Sequence, residues 1–290
     1  EMAALQRAGC VGISNALKPL ASTLVERRAF EYAATFGLTV FLHADDAALS
    51  ANGCIHEGEL STRLGLPGIP QAAETVAVAR DLALIQQTGV RAHFCRLTTH
   101  RAVRMVARAQ FDGVPVSADV AVPHLYLSEV DTVDFGADYH FIPPLRTQED
   151  REGLRKGLLS GTLSALCSDH QPHEPDAKLA PFPATEPGAS GVDSLLSLVL
   201  KLVDEDQKLL ADAIARVTSG PAKILGIPYG DLAVGRAADL CIYAPDSNWR
   251  LDETSMNSQG KNTPFRGWEM PGRVCYTLRD GKIIFSSENS

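Results

Sequence analysis

The 290 residues, 45% hydrophobic and 21% charged, are enough to bury a large core in one domain, with or without a small satellite. A net charge of −8 argues against nucleic acid or an anionic membrane as a partner, since either needs a basic surface. No apolar run approaches the roughly 20 residues that span a bilayer, and the first residues do not form a signal peptide. The six cysteines (10, 54, 95, 167, 241 and 275) lack any CxxC spacing, and several sit in apolar strand-like runs. Buried, reduced thiols and a cytoplasmic location are therefore expected. The opening EMAALQRAGC reads as a helix already under way, so further chain is expected upstream.

From there a unit of helix, glycine stop, short apolar strand and polar cluster recurs. Thr23 and Glu26 have capping-box spacing, and the helix they open is expected to end near Gly37. The strand Thr39–Leu42 leads into His43, Asp45 and Asp46. Pro70 marks the next helix start; Val76, Ala79 and Ala83 share one face of it, and Gly89 stops it. A strand around Ala92–Cys95 delivers Arg96, Thr98 and Thr99. A helix with Val103, Val106 and Ala107 on one face runs to Gly113, and the strand Val116–Val120 leads to His124. Thr147, with Asp150 three residues on, caps a helix that halts at Gly161. The strand Leu163–Cys167 follows, with Asp169, His170 and His173 immediately after it.

Strands alternating with amphipathic helices imply an α/β fold with a parallel sheet. The polar clusters all fall at C-terminal strand ends, where a (β/α)8 barrel places its chemistry, and no glycine-rich phosphate loop favours a doubly wound sheet. Residues 1–225 are assigned to the barrel. Residues 226–290 are assigned to a small β-sandwich-like appendage of short strands, with Arg279-Asp280-Gly281-Lys282 as a hairpin turn. The Pro-rich stretch 173–190 reads as a long loop over the strand ends.

Imidazole and carboxylate at several strand mouths suit a zinc ion. His43 and Asp169 are the leading candidates, with His173 a substrate contact or a loop residue and His56 a solvated or loop-fixing one. The competing reading is a polar network that satisfies loop backbone. Catalytic zinc requires three protein ligands and an open position, and here one strand end offers Arg96 instead of a donor.

In order and spacing, LHADD (42–46), GCIHEGELSTRLGLPGIPQAAE (53–74), PPLR (143–146), SDHQPH (168–173) and APF (180–182) resemble the hallmarks of class I dihydroorotases of the amidohydrolase superfamily. VTSGPAKILGI, VGRAADLCIY and KNTPFRGW resemble that family's C-terminal segment, so the similarity spans essentially the whole chain. The resemblance implies a TIM-type amidohydrolase barrel seen from about its fourth strand onward, with the HxH-bearing strands upstream. It also implies the family's zinc-dependent, reversible cyclisation of carbamoyl-aspartate to dihydroorotate.

Carried over residue by residue, the resemblance keeps the fifth-strand metal histidine as His43, the eighth-strand aspartate as Asp169 and a substrate-contacting histidine as His173. It places Asn15 and Ala16 where a metal-binding acid usually stands, Arg96 at the sixth-strand histidine, and Ile142 at a substrate-binding asparagine. A permanent cation about 4 Å from a dication, at an effective dielectric of about 20, is repelled by roughly 8 kcal/mol. Arg96 can instead pair with Asp169 or a neighbouring carboxylate and fill the space a metal would occupy. The expectation is thus a catalytically inactive relative with vestigial His43 and Asp169 and no cofactor. Homologues of that kind serve as structural partners of the aspartate transcarbamoylase catalytic chain, which implies a homo- or hetero-oligomer. Two alternatives stay open: an active zinc-dependent dihydroorotase with a reduced metal site, and a hydantoinase- or allantoinase-like hydrolase, against which the GLPGIP block argues.

Overall fold

A computed structural model describes residues 1–20, 22–203 and 207–287. Its centre is a five-stranded parallel sheet: Gly12–Ser14, Thr39–Leu42, Ala92–Phe94, Val116–Ala121 and Ala165–Cys167, hydrogen-bonded in that order. Spatial order follows chain order with no switch point, which is how a barrel wall winds. Alternate residues of each strand face opposite ways. Leu42 and Phe94 pack outward among the helices in one continuous core with Phe30, Ile85, Leu125 and Leu154. Among the described residues, no helix is long and apolar enough to cross a membrane.

The connecting helices are Thr23–Thr35, Gln71–Thr88, His100–Phe111 and Gln148–Leu159. Thr147 caps the last of these by accepting from Asp150 N–H, as its spacing suggests. The first is capped one residue earlier than its sequence implies. Ser22 Oγ accepts from Val25 N–H, Thr23 is already helical, and Glu26 is buried against Arg80 at 2.9 Å. In Gln71–Thr88 the expected face is reversed. Val76, Ala79 and Ala83 are exposed, while Ala73, Ala77, Val78 and Ile85 are buried together with Glu74 and Asp81. Alanine on most sides leaves little amphipathic contrast, and the two acids can be buried because each finds a partner.

Between the second and third sheet strands, the stretch read as a loop folds into a small parallel pair, Ile55–His56 with Gly68–Ile69. At the C-terminal end, strands Leu240–Ala244, Arg273–Arg279 and Lys282–Ser286 form an antiparallel sheet. Its hairpin turns at Asp280 and Gly281, both at positive φ (50° and 75°), the geometry of a two-residue turn. Within 226–290, residues 249–270 are shared with the barrel: Leu251, Met256, Phe265 and Met270 lie in the main core.

The loop that presents Arg96 is braced from behind by Glu74. Its buried carboxylate accepts from the backbone N–H and hydroxyl of both Thr98 and Thr99, at 2.6–2.9 Å. Thr99 Oγ1 in turn caps the next helix by accepting from Ala102 N–H. Glu74→Gln turns one acceptor oxygen into a donor facing two other donors. It is expected to lower the unfolding free energy by about 3 kcal/mol in urea titrations; a loss below about 0.5 kcal/mol would show that the brace is dispensable.

Candidate functional site

His43, Arg96 and Asp169 follow three different strands and meet at their C-terminal mouths. Asn15, after the first strand, clasps the backbone of His43: its Nδ2 donates to His43 O and its Oδ1 accepts from His43 N–H, both at 2.9 Å. A carboxylate could make only the second of these bonds. Asn15 thus ties two strand ends together, while Ala16 is exposed at a φ of 48°.

Arg96 takes a φ of 56°, and its backbone N–H donates to Asp119 Oδ1 at 2.6 Å. This turns the side chain across the mouth. Its Nη1 donates to Asp169 Oδ1 at 2.8 Å, and its Nη2 lies 3.4 Å from His43 Nδ1. Asp169 also sits at positive φ, 45°, and its N–H donates to Cys167 Sγ at 3.2 Å. Burial, helped by the Arg96 charge, holds His43 down to about 4, so the imidazole is neutral beside the guanidinium. Asp169 Oδ2 is buried without a hydrogen-bond partner among the described residues, and so is His124 Nδ1 when Nε2 donates to Pro143 O.

Other expected contributors lie elsewhere. Ile142 lines a cleft of about 160 Å³ together with His43, Asp45, Pro143 and Arg146. His173 is held by its loop, with its N–H donating to Asn262 Oδ1 at 2.9 Å and its ring Nε2 3.0 Å from Pro187 O. His170 Nδ1 accepts from Gly191 N–H at 3.2 Å, also a loop contact. His56 is buried, not solvated. Its Nδ1 accepts from Arg146 Nη1 at 3.1 Å, and Arg146 also donates to Ile69 O and Thr98 Oγ1. The Arg146 hub, the Glu74 brace and a His93–Asp119 pair inside the sheet were not anticipated. The His-x-Cys and Ser-x-Asp alternations on adjacent strands were the available signal for the last of these.

The mouth does not suit the zinc ion that the family resemblance implies. Two protein donors, His43 and Asp169, flank a buried guanidinium already bound to the carboxylate oxygen that faces it. With Arg96 in this position, the site can hold a cation only by displacing its own.

Burial also lowers His56, His124 and His140 to about 4. Each folded value lies below the ordinary 6.5, so the unfolded chain takes up protons first as pH falls. Their stabilisation is present above pH 6.5 and is lost between there and about 4. Asp81, raised to about 7 by burial and then by Glu26, acts in the opposite direction. The histidine contribution is therefore read as a difference. The urea midpoint of His56→Asn, which keeps an acceptor near Nδ1, should fall less between pH 7 and pH 5 than that of the wild type. Parallel curves would show that His56 contributes nothing to the pH dependence.

Comparison with known proteins follows the same lines. The amidohydrolase family model matches residues 8–284. A "dihydroorotase-like protein" from Pseudomonas putida is 48% identical over 288 residues, covering 99% of this chain and 68% of its own length. Its counterpart in Pseudomonas aeruginosa is 50% identical, covering 98% and 67%. A "dihydroorotase" from Syntrophotalea carbinolica is 41% identical, covering 98% and 67%. The L-hydantoinase of Arthrobacter aurescens superposes with a TM-score of 0.87 over 99% of this chain and 67% of its own, at 23% identity, a likeness of fold alone. The chain spans about two thirds of the length of these relatives. On fold and sequence together, this chain belongs to the amidohydrolase family, within the group of dihydroorotases and dihydroorotase-like proteins.

Proposed function

We propose that the chain is a non-catalytic dihydroorotase-like protein of pyrimidine biosynthesis, which acts in the cytoplasm as a structural subunit supporting assembly of the aspartate transcarbamoylase catalytic chain. The observation that carries the non-catalytic reading is the Arg96–Asp169 ion pair, 2.8 Å long and closed over by His43. Swinging Arg96 aside would strand a buried carboxylate, a loss of about 3–5 kcal/mol. Ile142 adds an apolar wall where the family resemblance places a polar substrate contact. The names of the Pseudomonas relatives agree with this reading, and the transcarbamoylase partner rests on the resemblance to non-catalytic homologues.

A second reading is an active zinc-dependent dihydroorotase with a reduced donor set, in which Arg96 turns outward. The unpartnered Asp169 Oδ2 favours it, because with Arg96 turned away this carboxylate and His43 would be free to act as donors. Turnover separates the two. The purified protein, with zinc supplied, should neither hydrolyse dihydroorotate nor cyclise carbamoyl-aspartate above background. Arg96→His alone should not restore activity, because Asn15, Ala16 and Ile142 remain. Measurable wild-type turnover would establish the second reading, and full rescue by that single change would show that the other departures carry no weight. The structural role is checked separately: deleting the chain should abolish assembly of the transcarbamoylase, and normal assembly without it would exclude that role.

A further inference from the structure

Among the described residues, the one group of three histidine, cysteine or carboxylate side chains close enough to share an ion lies away from the expected metal position, one side-chain layer down the sheet. Strands Ala92–Phe94 and Val116–Ala121 run parallel with His93 opposite Ser117 and Phe94 opposite Ala118. Continuing the register brings Cys95 level with Asp119. Alternation puts His93, Cys95, Ser117 and Asp119 on one face, opposite to Phe94, which is buried among the helices.

We propose that His93, Cys95 and Asp119 form a binding site for a soft divalent cation such as zinc, separate from the strand mouths and independent of the functional reading above. Their donor atoms all lie within 4.8 Å of one another. Tetrahedral zinc with nitrogen, oxygen and sulfur ligands needs donors about 3.3–3.8 Å apart, so a closure of about 1 Å completes the site. The surroundings are arranged for it. Asp119 Oδ1 is held by the Arg96 N–H at 2.6 Å, which leaves Oδ2 for the ion. His93 Nε2 is already 2.9 Å from that Oδ2, and His93 Nδ1 is 2.7 Å from Ser117 Oγ. When the cation takes Nε2, the imidazole proton moves to Nδ1 and is donated to Ser117 Oγ, the outer hydrogen bond that metal-bound histidines commonly make. Cys95 releases its proton on binding, since a coordinating thiol is deprotonated outright. Thiolate and carboxylate then neutralise the dication. The nearby Arg96 guanidinium, already neutralised by Asp169, adds no net charge. A thiolate and an imidazole together select zinc-like ions over magnesium or calcium.

Cobalt(II) is the probe. Chelator-treated full-length protein should bind one equivalent and develop the near-ultraviolet thiolate-to-cobalt charge-transfer band. Cys95→Ser should abolish the band, and Ser117→Ala should keep it while weakening binding by about 10- to 100-fold. Should Cys95→Ser not fold, His93→Gln takes its place, with loss of the band again expected. His43→Gln, at the mouth, should leave cobalt binding unchanged. The proposal is overturned if the wild type takes up no cobalt, if the band survives in Cys95→Ser, or if binding is lost in His43→Gln but kept in Cys95→Ser.

Discussion

A guanidinium and a carboxylate, 6% and 8% exposed, face each other at 2.8 Å across the mouth of the sheet. Charges this deep in a protein interior are tolerated only as partners, and removing either one leaves the other uncompensated. The remaining polar groups at the mouth are arranged around that requirement. Arg96 reaches Asp169 because a left-handed backbone turn, fixed by Asp119, aims its side chain across the strand ends. Asp169 meets it from a left-handed turn of its own. His43 fills the gap between them in its neutral form, since burial and the adjacent cation both oppose a second positive charge.

Successive layers of hydrogen bonding hold this arrangement. Asn15 locks the strand end that carries His43, Glu74 locks the loop that carries Arg96, and Arg146 ties that loop to the small sheet bearing His56 and Ile69. In a working hydrolase, donors at a strand mouth converge on a substrate or an ion. Here many of them hydrogen-bond to one another, which fixes the shape of the mouth.

Much of this was legible in the chain itself. Glycine stops, apolar strand runs and polar clusters after each strand mark the parallel sheet, and the run ending CRLTT places the cation of Arg96 at a strand end. What stayed hidden depended on partners distant in sequence. Val76, Ala79 and Ala83 share a face of the alanine-rich helix but are exposed, because the opposite face carries Glu74, whose partners Thr98 and Thr99 lie on another loop, and Asp81, paired with its neighbour Arg80. His56 looked like a loop residue because Arg146 is 90 positions further on. The Ser22 cap was missed because a Thr-Glu pair beginning one residue later fits the same spacing, and only the backbone geometry distinguishes them.

The mutual stabilisation of Arg96 and Asp169 at the strand mouth is measured by a double-mutant cycle in urea unfolding, using Arg96→Met, Asp169→Asn and the double variant. Each single change is expected to cost about 3–5 kcal/mol and the double variant far less than their sum, because the buried charges then disappear together. Additive losses, with no coupling between the two positions, would contradict that stabilisation.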